Sequence, residues 1–173
     1  MISEKLTKDD VKKIQDEILE RKTVLRPKIL EDVKTARAHG DLSENFEYYA
    51  ARKANRENNS RIEYLEKMLK NATIIEENAN GGVSLNNTVK VKFVEEGVGE
   101  ESWEVDTYKI VTSIRADSMK NKVSIESPLG KALLSHMVDE VVKVELENGS
   151  SYELKIVEID STTDSSDDDI KAF

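Results

Sequence analysis

Cysteine is absent from this 173-residue chain, which excludes disulfides and thiolate metal centres and suits a reducing, cytoplasmic setting. No apolar run approaches the length of a bilayer span. Met1–Asp10 also lacks the charged-then-apolar pattern of a secretory leader, so no membrane association is expected. Proline occurs only twice, and a long helical pattern therefore meets few interruptions. Net positive charge is missing too. The formal charge is −9 and it is uneven: 16 Lys and Arg face 15 Asp and Glu in residues 1–76, but 10 face 20 in residues 77–173. An acidic chain is poorly suited to displacing phosphate counterions, so strong binding to free duplex DNA is not expected. Any nucleic acid it meets is presented by a partner protein. The length allows one ordinary domain or two small ones.

What is present begins with a helical hairpin. Thr7 followed by Asp10 has the spacing of a capping box. Val11, Ile14, Ile18, Leu25, Ile29, Val33 and Ala36 then recur at helical spacing, with Lys22 as a polar gap and charge on the other faces, the pattern of a coiled-coil seam. Pro27 predicts a bend near Leu25–Pro27. Gly40 follows the last seam residue, where helices commonly stop. Ala50, Ala54, Ile62, Leu65, Leu69 and Ala72 trace the returning stripe. Reversal around residues 40–43 pairs Leu65 with Ile18 and puts Asn58 opposite Leu25, in what should be the weakest packed section.

A polar, glycine-containing stretch over residues 78–87 reads as a linker between a hairpin domain (1–77) and a second domain (88–160). There the period changes to two, and strands are expected at Thr88–Val94, Trp103–Ile114, Lys122–Ile125, Val141–Leu146 and Tyr152–Ile159. Asn148-Gly149 marks a hairpin. Ser127 and Pro128 open a single short helix as N-cap and first residue. The fold class is therefore α+β, an antiparallel coiled-coil hairpin followed by a small antiparallel sheet with one helix. Residues 161–173, rich in aspartate, read as a disordered acidic tail.

Asp41 and Glu44 stand at the apex of the hairpin. Their D-x-x-E spacing fits a capping box, with Asp41 as cap and Glu44 at the third helical position. Against that, Ser43 is itself a competent cap, and Arg37 and Arg52 fall close enough across the hairpin to keep both acids ionised. Two ionised carboxylates suit a hard cation such as Mg²⁺, which usually takes only one or two protein carboxylates. The missing ligands must then come from a partner.

The run Ala36-Arg37-Ala38-His39-Gly40-Asp41-Leu42-Ser43-Glu44-Asn45, continuing through Glu47-Tyr48 to Ala50-Ala51-Arg52, resembles the tip of the Gre transcript-cleavage factors of bacterial RNA polymerase. Ser127–Leu134 resembles the signature of their C-terminal domain, and Arg115-Ala116-Asp117 resembles a fragment preceding it. The likeness runs from residue 1 to about 159 and favours the GreA branch over GreB. It implies a coiled coil that enters the polymerase secondary channel and an FKBP-like sheet domain, without isomerase activity, that docks on the polymerase through Ser127, Pro128, Leu129 and Gly130. It further implies that Asp41 and Glu44 help to hold the second Mg²⁺ and position the attacking water. The polymerase then hydrolyses its own backtracked RNA, and the chain is not an independent enzyme. No metal is bound tightly by the chain alone. Fold relatives that alter the acidic tip are non-cleaving channel binders that inhibit transcription, the alternative reading.

Around the acids, Arg37, Ser43, Asn45, Tyr48, Arg52 and Arg56 form the expected contact set for polymerase and the RNA 3′ end. The arginines otherwise read as a solvated helix face, and Tyr48 either packs beneath the acids or touches RNA. His39 is explained by the dipole of a helix end. Trp103 and Tyr108 are expected in the core or edge of the sheet. Phe46 and Tyr49 depart from the family pattern by adding aromatic bulk behind the tip, and the acidic tail has no family counterpart.

Overall fold

The computed structural model describes residues 4–38, 45–76, 81–166 and 168–171, which divide into two compact units, Met1–Thr73 and Ile74–Ala172. The first unit is the hairpin. A short strand β1 (Lys5–Leu6) precedes helix α1 (Lys8–Glu20), and the capping box forms in full: Asp10 N–H donates to Thr7 Oγ1 at 3.1 Å, and Thr7 N–H donates to Asp10 Oδ2 at 2.9 Å. A π-helical turn over Arg21–Leu25 leads into α2 (Arg26–Ala38). This irregularity falls immediately before Pro27, where a bend was expected. Proline has no N–H to give and its ring crowds the preceding turn, so the helix widens there and continues. The returning arm is one helix, α3 (Phe46–Lys70), about 38 Å long at about 1.5 Å per residue. At its far end the chain forms β2 (Thr73–Ile74), the partner of β1.

The seam differs from the expected stripe in its middle and distal parts. Ile14, Ile29, Ala36, Ile62, Leu65 and Met68 are buried, but Leu25 and Ala50 are exposed. Tyr48, Asn58 and Arg61 take buried positions instead. Arg61 donates to Glu17 through Nε (2.9 Å) and Nη2 (3.0 Å), and Arg21 Nε donates to the same carboxylate at 2.7 Å. Arg21 Nη1 reaches Asn58 Oδ1 at 3.2 Å. Asn58 thus faces Arg21 rather than Leu25. The mid-hairpin section expected to be weakest is a layer of charge-assisted hydrogen bonds. Burial pushes the Glu17 carboxyl up, but its hydrogen bonds to Arg61 and Arg21 outweigh this and hold it below the usual carboxylate range.

The second unit is a curled five-stranded sheet: β3 (Thr88–Phe93), β4 (Val105–Val111), β5 (Lys122–Ser124), β6 (Val141–Glu145) and β7 (Ser151–Asp160), ordered β5-β4-β3-β7-β6. All neighbours are antiparallel except β4 and β5, which run parallel. The sheet is therefore mixed, a correction to the antiparallel expectation. The 3₁₀ turns at Ser113–Arg115 and Ser118–Lys120 carry the chain across between those two strands, and they end β4 before Ile114. The expected hairpin joins β6 to β7, with Gly149 at φ +83°.

Helix α4 (Pro128–Leu133) closes the core. Eleven buried apolar residues form that core, among them Val89, Val91, Ile110, Leu133, Val144, Leu154 and Ile156. Val83 and Leu85 belong to it as well, and Val83 exchanges backbone hydrogen bonds with Ser135 and His136 at 2.8 Å each. Residues 81–87 are thus part of the sheet unit, not linker; 78–80 lie outside the described residues. Two apolar side chains at period two, hidden among polar ones, are enough to anchor the segment.

For the described residues 161–166 and 168–171 the expectation of a disordered tail is also corrected; 167, 172 and 173 lie outside the described residues. Asp168 is 3 % exposed and ion-paired, and Thr163 Oγ1 donates to the Asn86 carbonyl. Lys171 N–H donates to Ile114 O at 2.7 Å. A segment with so little apolar content has no hydrophobic reason to order, and it is charge that seats it.

Candidate metal and nucleic-acid interface at the hairpin tip

Asp41, Ser43 and Glu44, together with His39 and Gly40, lie outside the described residues. The platform on either side of them is defined. Asn45 is the N-cap of α3: its Oδ1 accepts from Tyr48 N–H at 3.0 Å, while its Nδ2 donates to the Ala36 carbonyl at 2.8 Å. One amide therefore caps the returning helix and satisfies a carbonyl left open at the end of the outgoing one. The cap position is filled by Asn45, so α3 requires neither Asp41 nor Ser43 as its cap. The capping explanation of the D-x-x-E spacing loses its structural basis.

Tyr48 packs beneath this junction. The Arg37 and Arg52 guanidinium carbons lie 5.6 and 5.7 Å from its ring centroid, one contributed by each arm, within cation–π range. A hydrogen bond from Arg37 pulls the Tyr48 phenol below its ordinary range, and the Arg52 charge acts in the same direction. Two of the expected arginines and the expected tyrosine are thus brought together, and Tyr48 serves as their packing surface. Arg56, one helical turn on from Arg52, is exposed. Phe46, the first residue of α3, is 86 % exposed, and Tyr49 meets the Tyr48 ring edge-on at 5.9 Å between centroids. The aromatic bulk behind the tip is therefore divided: one ring is buried and two face solvent.

Ser127, Pro128, Leu129 and Gly130 sit in the sheet unit. Ser127 Oγ accepts from Gly130 N–H at 3.0 Å and donates to the Ser124 carbonyl at 2.7 Å; Pro128 is the first helical residue. Gly130 is buried so closely against β5 that a Cβ there would stand 2.0 Å from Ser124 O. Leu129 is half-buried against the core. Trp103 Nε1 donates to Val98 O at 3.2 Å and Tyr108 lies against the core, so both aromatic residues serve the sheet. His136 pairs with Glu140 at 2.7 Å. The layer of Glu17, Arg21, Asn58 and Arg61 was not anticipated, although the four-residue spacing of Glu17 and Arg21 was a visible cue.

Comparison with known proteins agrees with this arrangement unit by unit. Residues 4–74 match the family described as "Transcription elongation factor, N-terminal", and residues 78–161 match "Transcription elongation factor, GreA/GreB, C-term". The chain is 42 % identical over 155 residues to transcription elongation factor GreA of Staphylococcus epidermidis, covering 89 % of this chain and 94 % of that protein. It is 38 % identical over 154 residues to GreA of Lachnoclostridium phytofermentans, covering 89 % and 93 %. Among solved structures, GreA factor homolog 1 of Thermus thermophilus aligns over 91 % of this chain and 99 % of its own, at 24 % identity and a TM-score of 0.42. With both units matched and the relatives covered almost end to end, the chain belongs to the GreA/GreB family of transcription elongation factors.

Proposed function

We propose that the chain rescues backtracked RNA polymerase. Its hairpin enters the secondary channel, and Asp41 and Glu44 are delivered to the polymerase active centre, where they complete the ligand set of the second Mg²⁺ and orient the attacking water. The polymerase cleaves its own RNA and this chain stimulates it. The donor set fits the metal: two carboxylates are what such a cation takes from one protein, and a turn at a helix start favours negative charge. When bound, the second metal stabilises charge on the attacking or leaving oxygen. The chain's own residues supply position. Asn45 clamps the two arms together immediately after the acids in sequence, and Arg37 and Arg52, which flank the acids in the chain, are held over Tyr48. Arg52 and Arg56 supply positive charge for the extruded RNA 3′ end. The sheet unit docks on the polymerase through the segment around Leu129, which Ser127, Pro128 and Gly130 hold in shape.

The observation that carries this reading is the cap. Asn45 does the structural work that the acidic pair was otherwise needed for, which leaves Asp41 and Glu44 to chemistry. The test is RNA cleavage in a stalled elongation complex. The wild-type chain is expected to shorten the transcript, whereas Asp41→Asn and Glu44→Gln should keep the helix content and lose the stimulation. Full cleavage by both variants sinks the proposal, and inhibition without shortening by the wild type replaces it with the non-cleaving alternative.

A further inference from the structure

The C-terminal domain carries a cluster of cations that the tip chemistry does not use. Lys109 on β4 and Lys122 on β5 are direct partners in the parallel register, at the edge of the sheet, and Arg115 follows β4 in the adjoining turn. Like charges set opposite each other on neighbouring strands destabilise a sheet unless an anion lies between them. The anion here is Asp168. Its carboxylate lies 2.6 Å from Lys122 Nζ, 2.9 Å from Arg115 Nη1 and 3.0 Å from Lys109 Nζ. Lys109 Nζ also donates to the Asp164 carbonyl at 2.6 Å, and Arg115 Nη1 donates to Asn86 Oδ1 at 2.7 Å. One carboxylate thus answers all three cations at once.

Beside it opens a cleft of about 390 Å³, lined on the domain side by Arg115, Lys120, Lys122 and Asp117 and on the other by Asp169 and Lys171 of the C-terminal segment. The segment that fills the site has no regular structure. Ser161, Thr162, Asp164, Ser166, Asp169 and Lys171 are exposed along it, and it contributes little apolar surface. Its hold is electrostatic, the kind of contact another acidic chain can replace. It also lies beyond residue 161, where the match to the family's C-terminal domain ends.

We propose that Lys109, Arg115 and Lys122 form a receptor for an acidic peptide segment of a partner protein, and that the described residues 163–166 and 168–171 occupy it in cis as a displaceable strap. The occupant already seen there is an aspartate-bearing peptide, and the adjoining cleft, where Lys120 and Lys122 belong to the domain itself, offers room for a longer acidic segment. A partner segment that enters must expel the strap, so the site is closed in the isolated chain and opens by exchange.

The test uses the full-length chain and a fluorescein-labelled peptide of sequence STTDSSDDDIKAF, residues 161–173, with binding read by anisotropy. The full-length Asp168→Asn chain, confirmed folded by circular dichroism, is expected to bind the peptide at least about tenfold more tightly than wild type, whose site is filled. A peptide carrying the same Asp168→Asn change is expected to bind that chain about tenfold more weakly than the unaltered one. Absence of binding to the folded Asp168→Asn chain, or equal binding of the two peptides, overturns the proposal. Displacement of the labelled peptide by an equal concentration of inorganic phosphate overturns the assignment to an acidic peptide. Should Asp168→Asn fail to fold, a protease site placed at exposed Ser161–Thr162 in the otherwise wild-type chain, cut after folding, answers the same question. Release of the strap on dilution and its recapture on concentration support the exchange, and a strap that never leaves the folded domain refutes it.

Discussion

The hairpin and the sheet domain each set a carboxylate among arginines or lysines, half-buried at Glu17 and buried at Asp168, and the two clusters stand in different surroundings. In the hairpin, Glu17 meets Arg21 and Arg61 at a point where the apolar seam gives out, between Ile14 and Ile29 on one arm and around Asn58 on the other. In the sheet domain, Asp168 meets Lys109, Arg115 and Lys122 at the margin of an intact eleven-residue apolar core. The first cluster therefore joins two elements that have little else holding them at that level, and it fixes their register. The second fastens a strand to a domain whose core is complete without it. Buried ion pairs are costly to break by removing one partner, but what is lost depends on which elements the pair joins.

Five changes sharpen or break that contrast. The largest effect is functional and confined to the hairpin: the double change Asp41→Asn with Glu44→Gln should lower stimulated RNA cleavage by about a hundredfold while leaving thermal unfolding of both units unchanged. Next, Gly130→Ala should destabilise the sheet domain by about 3 kcal/mol, because its new methyl meets the Ser124 carbonyl, and should spare the hairpin; chemical denaturation followed by Trp103 fluorescence reads it. Arg61→Ala should cost the hairpin about 2 kcal/mol, seen as a loss of helical ellipticity at lower temperature, with the sheet signal unmoved.

Acid should act on both clusters. Burial opposes ionisation of Asp168, but hydrogen bonds and charge from Lys122 and Lys109 hold its carboxyl down at about 2. Because the folded value lies below the unfolded one, near 3.8, the stabilisation is complete above the unfolded value and is lost as pH falls through the folded one. The sheet domain should shed roughly 2 kcal/mol between about pH 4 and pH 2. An Asp168→Asn chain that folds should lack that slope. Glu17, likewise depressed, gives the hairpin a loss of the same sign over the acid range. The smallest effect is expected for Asn45→Ala, about 1 kcal/mol of helix stability from the lost cap, with weaker hydrogen-exchange protection at the start of α3.

The two units were not equally legible in the sequence. Strand positions in the sheet domain followed from period-two alternation, as in Val141–Glu145, where Val142 and Val144 point inward and their neighbours outward. The Asn148-Gly149 turn and the Ser127-Pro128 helix start were equally clear because their chemistry is local. The parallel pairing of β4 with β5 was not, since two strands joined by short 3₁₀ turns carry no local mark of direction. In the hairpin the capping box at Thr7 was legible, but the stripe through Ala50 and Ala54 missed the true face, which runs through Tyr48, Asn58 and Arg61. A hydrophobic pattern cannot reveal a seam built from polar side chains that satisfy each other across the interface. At the tip, the motif picked out Arg37, Asn45, Tyr48 and Arg52, and the structure adds what the motif could not contain: Asn45 bridges the arms and both arginines share one ring. The strap was missed because composition speaks to hydrophobic ordering and is silent about a carboxylate with three cationic partners.

The wide turn at Arg21–Leu25 has a rotational consequence. Each α-helical residue advances the chain by about 100° around the axis, so a turn closed one residue later slips the azimuth of everything distal to it. Leu25, at seam spacing, is exposed within this turn, as is its neighbour Val24. The outer half of the arm, which carries Arg37 to the Tyr48 ring, lies beyond that slip. The turn just before Pro27 is thus tied, by helix geometry alone, to the azimuth of the residues beyond it.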